Sequence, residues 1–319
     1  MSEDPKDDVS AGLESAAAAR RVTITRLQPR LGADVAGVDL RQPIDDDLGD
    51  ILYAATVRHR VIFLRAQEIT AQQQAAVGRR FGQLEIHPLN TGEDGHYKGD
   101  GHVAEILAVR TRQLGLVEFS RGDDGAANNW HTDMTQRPRP PMLAILRGVQ
   151  VPRLGGDTCW ASAVSAYQGL EATTKARIET LMAVHDTRTA QRRYAKTAED
   201  LERIDRENPP TEHPVVRIHP DTSERMLLVN AGQTKNIVGM AAEESAALLQ
   251  ELFAQFSLPE YQVRFRWQPN SIAIWDERST QRYAVQGFED LEERIMHRVC
   301  VEGDEPFGPA KPRLELAAA

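Results

Sequence analysis

Short apolar runs, alternating or continuous, recur along most of the chain. Val22 and Ile24 alternate with polar neighbours, as in a half-buried strand, and residues 61–64 form a continuous apolar run that is typical of a buried strand. Comparable patterns predict further strands. They cover residues 106–111, 142–146, 215–219, 226–229, 263–267 and 271–278.

Helical periodicity appears in the intervals between these strands. Thr70 is a suitable N-cap for a helix that runs to Phe81 and ends at Gly82. Further helices are predicted over 46–57, 165–183 and 244–256. Many short strands with helices between them, and no regular βαβ rhythm, favour a mainly β fold with helical additions, either an antiparallel barrel or a jelly roll.

The order of these segments predicts one large domain. Residues 1–20 lack a clear pattern and are interpreted as a disordered leader, and the domain then covers 21–307. Within it, residues 88–129 are polar and rich in glycine. A long polar excursion inside a compact domain is typical of an active-site lid or binding loop. Residues 308–319 are interpreted as a flexible tail.

Composition narrows the range of partners. The chain has 319 residues and a formal net charge of −9, which argues against a surface built to neutralise nucleic-acid phosphates. No apolar stretch reaches the ~18 residues of a membrane span, and the acidic N-terminus does not resemble a secretory signal. The two cysteines, Cys159 and Cys300, lack metal-site spacing and fit a reducing compartment. These features predict a cytoplasmic protein without nucleic-acid or membrane partners.

The sharpest chemical feature is Trp130-His131-Thr132-Asp133. Residues i and i+2 of a strand point to the same face, so His131 and Asp133 can converge on one point. An imidazole and a carboxylate are two-thirds of the facial triad that holds non-haem Fe(II). Taken alone, the pattern is equally compatible with a surface histidine beside a turn aspartate.

Five separated blocks give this pattern a context. In order along the chain they read NNWHTDMT, GGDTCWAS, HPVVRIHP, RWQPNSIAIWDERSTQRYA and RIMHRVCVEGDEPF. From about Val22 to Phe307 the chain resembles the taurine-type family of iron(II)/2-oxoglutarate dioxygenases. The resemblance implies a double-stranded β-helix, or jelly roll, with Fe(II) at one end and 2-oxoglutarate beside it. It also implies hydroxylation of a small anionic molecule, coupled to decarboxylation of 2-oxoglutarate to succinate, and makes a homo-oligomer plausible.

The resemblance assigns roles residue by residue. His131 and Asp133 match two iron ligands, Thr158 and Arg294 match residues that hold 2-oxoglutarate, and His87 and Arg298 match residues that hold the substrate's anionic head. An arginine suits this task because its planar fork binds a carboxylate through two hydrogen bonds. Other interpretations exist for several of these residues. Thr158 could simply close a turn, His87 could be an ordinary loop residue, and the two arginines could form surface ion pairs with Glu292 and Glu293.

The chain departs from the family's pattern at the third iron ligand. Relatives have a histidine where this sequence has Arg282, and an asparagine where it has Glu277. Arginine has donors but no acceptor, so it cannot ligate a metal. Two unit charges ~4 Å apart at an effective dielectric constant of 20 interact by about 4 kcal/mol, and a guanidinium that close to Fe(II) would face roughly twice that in repulsion. A carboxylate left without its metal in a partly buried pocket needs a compensating donor, so we expect Arg282 to lie near the vacated iron position and to pair with Asp133.

Gln136 and Gln233 stand where taurine-type members commonly place aromatic residues, which predicts a more polar substrate pocket and makes taurine itself a poor fit. Three hypotheses remain open from the sequence. The chain could be a dioxygenase with a weakened or relocated iron site. It could be a metal-poor relative that binds a small carboxylate or anion in a sensing or structural role. The resemblance aside, it could be a generic barrel protein.

Overall fold

The computed structural model describes residues 5–85, 116–120, 129–188, 197–286 and 294–313. His87 and the predicted strand at 106–111 therefore lie outside the described residues, as does most of the 88–129 segment. In the described chain the strands are β1 (Thr23–Arg26), β2 (Ala33–Ala36), β3 (Val61–Leu64), β4 (Leu116–Ser120), β5 (Leu143–Gln150), β6 (Thr158–Ser162), β7 (Met182–His185), β8 (Thr211–Pro214), β9 (Val216–Ile218), β10 (Arg225–Leu227), β11 (Thr234–Ile237), β12 (Gln262–Phe265), β13 (Ile272–Asp276), β14 (Thr280–Ala284) and β15 (Ile295–Val301).

Helices flank these strands, and several of them begin with side-chain caps. Asp45 accepts a hydrogen bond from the backbone N–H of Leu48, and Thr70 and Gln73 form a reciprocal capping box. The predicted helix after Thr70 is confirmed, with Gly82 at its C-terminus. The helices are α1 (Pro5–Ala19), α2 (Asp46–His59), α3 (Ala71–Phe81), α4 (Ala163–Gln168), α5 (Ala172–Ile178), α6 (Ala198–Glu207) and α7 (Ala242–Ala254), with 3-10 turns at Gln255–Ser257 and Pro259–Tyr261.

The largest sheet has seven strands in the order β1-β2-β3-β13-β5-β15-β4, and all neighbours are antiparallel except β2 and β3. A second sheet has three strands in the order β12-β6-β14, a third has three strands in the order β11-β7-β8, and β10 pairs with β9. The predicted strands at 61–64, 142–146 and 271–278 thus lie in the largest sheet, and that at 263–267 lies in the second.

An aromatic core lies between the seven-stranded sheet and the β12-β6-β14 sheet. Phe63 of β3 stacks on Phe265 of β12 with ring centroids 4.0 Å apart, and Trp160 of β6 meets Trp275 of β13 edge-on at 5.6 Å. The other face of the largest sheet is covered by α1, α2 and α3. All four residues of β3 are buried. One face of the strand packs in the aromatic core and the other packs against the helices, which explains the continuous apolar run.

The structure differs from three predictions about chain organisation. Residues 5–19 form α1 rather than a disordered leader, and Leu13 and Ala17 are buried against the helix-covered core. The predicted helix over 165–183 is instead α4, α5 and β7. It breaks at Gly169, where a Cβ would lie only 2.0 Å from the Tyr261 hydroxyl, and β7 pairs with both β8 and β11.

The predicted flexible tail also begins as packed chain. Gly308 and Lys311 exchange backbone hydrogen bonds of 2.8 and 3.0 Å, and Phe307 accepts one from Ile218 of β9. A Cβ on Gly308 would lie 2.0 Å from the Val216 oxygen, so the backbone there lies directly against β9. Residues 314–319 lie outside the described part of the chain.

Candidate active site

Three of the predicted site residues converge where the segment after Trp130 meets β14. The backbone N–H of His131 donates to the Arg282 oxygen at 3.1 Å, and the N–H of Arg282 donates to the His131 oxygen at 2.8 Å. Residues opposed in this way send their side chains to the same face. The carboxylate of Asp133 reaches the same place, with Oδ1 3.9 Å from Nε2 of His131.

Asp133 is held by two guanidinium groups. Arg282 donates from Nη2 to Oδ1 at 3.0 Å, and Arg298 donates from Nη1 to Oδ2 at 2.6 Å. The predicted ion pair between Arg282 and Asp133 is therefore present. Burial opposes ionisation of this carboxyl, but the adjacent positive charges of Arg282 and Arg298 outweigh it and hold the pKa of Asp133 well below its usual range.

Two further carboxyl groups lie around this ion pair. Glu277 is buried, and its Oε2 accepts a hydrogen bond of 3.2 Å from the backbone N–H of Asp133. Burial, followed by the charge of Asp133, raises the pKa of Glu277 well above its usual range. Glu85 is also buried, pairs with Arg137, and has its pKa raised to about 7 by burial. A raised pKa favours the neutral form of Glu277, so the two guanidinium groups are balanced mainly by the carboxylate of Asp133.

His131 fits a metal ligand, but the three converging side chains together do not. Nδ1 of His131 lies 2.8 Å from the Asn129 carbonyl oxygen, which can only accept, so a proton is on Nδ1, and in the neutral imidazole Nε2 is the nitrogen that can face a metal. Asp133 supplies a carboxylate. Arg282, at the third corner, supplies only donors. Within the described ranges, no three His, Cys, Asp or Glu side chains are grouped to hold a metal ion, and this arrangement does not fit Fe(II).

The two residues predicted to hold 2-oxoglutarate share one corner of the fold. Arg294 donates from Nε to the Gly156 oxygen at 3.2 Å, two residues before Thr158, and its side chain is buried. Trp267 donates from Nε1 to Oγ1 of Thr158 at 2.9 Å. That bond uses an acceptor position and leaves the threonine proton available to a ligand.

The two glutamines differ in how their amides are used. Gln233 donates to the Thr132 oxygen at 3.0 Å and accepts from the Thr135 hydroxyl at 2.7 Å, so it braces the turn that carries Asp133. Gln136 is buried and donates only to the Met134 sulfur at 3.7 Å, while its Oε1 has no partner in the described chain.

Several residues of the site were missed by sequence reasoning. Thr135, Asn230 and His185 form a buried hydrogen-bond network under the same turn, with Thr135 Oγ1 3.1 Å from the Asn230 amide and 2.9 Å from Nδ1 of His185. No local motif marks these three. The proximity of Thr135 to the His-x-Asp motif was the one available signal.

Comparisons with known proteins identify the family of this chain. The family model of the taurine catabolism dioxygenase TauD, TfdA family matches residues 23–300. The chain belongs to this family. An alpha-ketoglutarate-dependent sulfate ester dioxygenase from Pseudomonas putida is 33% identical, with 94% of this chain and 95% of that protein covered. An alkylsulfatase from Acinetobacter baylyi is 31% identical, with 91% and 87% covered.

A solved taurine dioxygenase from Burkholderia xenovorans has a TM-score of 0.73 and 33% identity, covering 91% of this chain and 94% of that one. This confirms the predicted jelly-roll fold class, mainly β with helical additions. The chain is an oxidoreductase-family protein of the 2-oxoglutarate-dependent dioxygenase type, and the enzymes of this type use Fe(II) and 2-oxoglutarate. Among the described residues, no helix has the length and apolar character of a membrane span.

Proposed function

We propose that this member of the TauD, TfdA family binds 2-oxoglutarate between Arg294 and Thr158 and oxidises a small organic anion of the sulfate ester or sulfonate class. The observation that carries the proposal is the shared corner of Gly156, Thr158 and Arg294. A buried guanidinium can bind a carboxylate through two charge-assisted hydrogen bonds, and a threonine hydroxyl can add a third. In the overall reaction, 2-oxoglutarate and O2 yield succinate and CO2, and the second oxygen atom enters the substrate. This reaction requires Fe(II), which His131 and Asp133 would hold only with the Arg282 guanidinium displaced from Asp133.

The anionic substrate class is supported by charge and by relatives. Arg282 and Arg298 both donate to the carboxylate of Asp133, and the raised pKa of Glu277 favours its neutral form, which supports binding of an anion beside the two guanidinium groups. Two relatives are named for sulfate ester chemistry. In this proposal Gln136, and Arg298 beside Asp133, contact the substrate. A substrate contact of His87 remains a prediction from the sequence. Gln233 acts by holding the turn. A cytoplasmic location and a homo-oligomeric state remain predictions from the sequence.

Calorimetric titration of 2-oxoglutarate into the full chain tests the co-substrate assignment. Arg294→Lys keeps the charge but loses the planar fork, and we expect it to weaken binding by about 10-fold or more, because a bidentate pair becomes a point charge. Arg266→Lys is a matched control at an exposed arginine, and should bind like wild type. Equal affinities for wild type and Arg294→Lys would refute the assignment.

The substrate class needs a separate experiment. Succinate release is measured with an alkyl sulfate, an alkyl sulfonate and the neutral alcohol of the same chain length. We expect the two anions to stimulate release above the background without substrate, and the alcohol to have no effect. Stimulation by the alcohol alone would show that the pocket does not select an anion.

A further inference from the structure

Position 282 is the third corner of the His131 and Asp133 site by backbone geometry alone. His131 and Arg282 are opposed across an antiparallel bridge, so their Cβ atoms lie about 5 Å apart on one face. The side chain at 282 therefore extends into the space that His131 and Asp133 both face.

The guanidinium of Arg282 is bound to the specific oxygen that a metal would need. Oδ1 of Asp133 is 3.9 Å from Nε2 of His131, and Nη2 of Arg282 is 3.0 Å from that same Oδ1. The other oxygen, Oδ2, is already bound by Arg298 at 2.6 Å. A cation shared by His131 and Asp133 through Oδ1 would therefore have to bind the same oxygen that now accepts from Arg282.

A second contact keeps Arg282 directed inward. Its guanidinium carbon lies 5.9 Å from the centre of the Trp275 ring, within the range of a cation–π interaction. Trp275 is fully buried in the aromatic core on β13, so the ring that Arg282 contacts belongs to a strand and not to a loop. The arginine side chain is 11% exposed, so it is held inside the site rather than extended into solvent.

We propose that Arg282 and a divalent cation compete for Oδ1 of Asp133, so that metal binds at His131 and Asp133 only when the guanidinium leaves. The identity of residue 282 then sets the metal affinity of this chain. The inference rests on the proposed function only in taking His131 and Asp133 as the pair that faces a metal, and it does not depend on the 2-oxoglutarate or substrate assignment.

The test is calorimetric titration of MnCl2 into the full-length protein without 2-oxoglutarate. Arg282→His removes the competing charge and adds an acceptor nitrogen, and we expect it to bind Mn(II) about 100-fold more tightly than wild type. Arg282→Gln removes the charge but adds no nitrogen ligand, so a smaller gain of about 10-fold is expected. Arg282→Lys keeps the charge and should bind no better than wild type.

A second substitution locates the gained metal. His131→Ala in the Arg282→His background should abolish the gain, and far-ultraviolet circular dichroism checks that each variant is folded. If Arg282→His does not fold, the Mn(II) affinities of wild type, Arg282→Gln and Arg282→Lys test the proposal, since only Arg282→Gln should bind more tightly than wild type. Wild type binding one Mn(II) as tightly as Arg282→His or Arg282→Gln would overturn the proposal. Because 2-oxoglutarate is absent, that result would not bear on the role of Arg294. In the same way, failure of the Arg294 test would not bear on the competition between Arg282 and a cation.

Discussion

Arg282 and Asp133 form a buried ion pair, with Nη2 of the arginine 3.0 Å from Oδ1 of the aspartate, that links β14 to the turn after His131. The arginine reaches the carboxylate from the position directly opposite His131. A charge pair of this kind satisfies a buried carboxylate without a metal ion. The same pair is therefore a structural element of the fold and an obstacle to the iron chemistry of the family.

Asp133→Asn should be strongly destabilising. It leaves the buried guanidinium groups of Arg282 and Arg298 without a compensating carboxylate, and breaking a buried ion pair costs about 3–5 kcal/mol. Chemical denaturation measures the change in the free energy of unfolding. Adding Arg282→Gln to this variant should recover part of the loss, since one uncompensated charge is removed. A change below about 0.5 kcal/mol in the single variant would show that the pair contributes little.

Gly156→Ala should affect both stability and co-substrate binding. Gly156 has φ +66°, and a Cβ there would lie 3.0 Å from Cγ of Pro152 and 3.2 Å from Cδ of Arg294. Gly239 has φ +72° with nothing within 4 Å of its Cβ, so Gly239→Ala carries the same backbone strain without the contact. Both variants should lose about 1 kcal/mol of stability. Weaker 2-oxoglutarate binding is expected only for Gly156→Ala. Equal affinities of the two variants for 2-oxoglutarate would indicate that Arg294 does not bind the co-substrate.

Leu13→Ala tests whether α1 is part of the core. Leu13 is 8% exposed and belongs to the cluster between the helices and the largest sheet. Truncating a buried leucine should cost about 2 kcal/mol of unfolding free energy, at the low end of the usual range because the site is near the surface. Ser15→Ala, on the exposed side of the same helix, should change stability by less than about 0.5 kcal/mol. Equal effects would indicate that α1 contributes no packing.

Glu85 should make stability depend on pH. Burial raises its pKa from 4.5 to about 7, so between these values the folded protein keeps a proton that the unfolded chain has released. The contribution of Glu85 is therefore present below pH 4.5 and is lost as the pH rises towards 7, by about 3 kcal/mol in total. Relative to wild type, Glu85→Gln should gain stability across this interval and remain level above it. A constant difference from pH 4.5 to 8 would contradict the shift.

Local patterns were sufficient wherever structure depends on neighbours in the chain. The capped helix after Thr70 and the apolar strand at 61–64 follow from side-chain periodicity and capping, and both are observed at the predicted residues. The His-x-Asp motif and the ordered blocks around it predicted the fold class and the dioxygenase family. The replacement at 282 was also visible in the sequence, because a residue type that cannot accept a metal stands in a recognisable block.

Contacts between distant segments decided the rest. The helix predicted over 165–183 gives way to β7, because Gly169 packs against Tyr261 and β8 and β11 supply the pairing for a strand. Residues 5–19 contain few large apolar side chains, yet they form α1, in which Leu13 and Ala17 pack against the core between the helices and the largest sheet. The pairing of both Arg282 and Arg298 with Asp133 also depends on contacts between distant segments. Ion pairing depends on which charged groups the sheets bring within about 3 Å, and that distance is set by packing over the whole domain rather than by spacing along the chain.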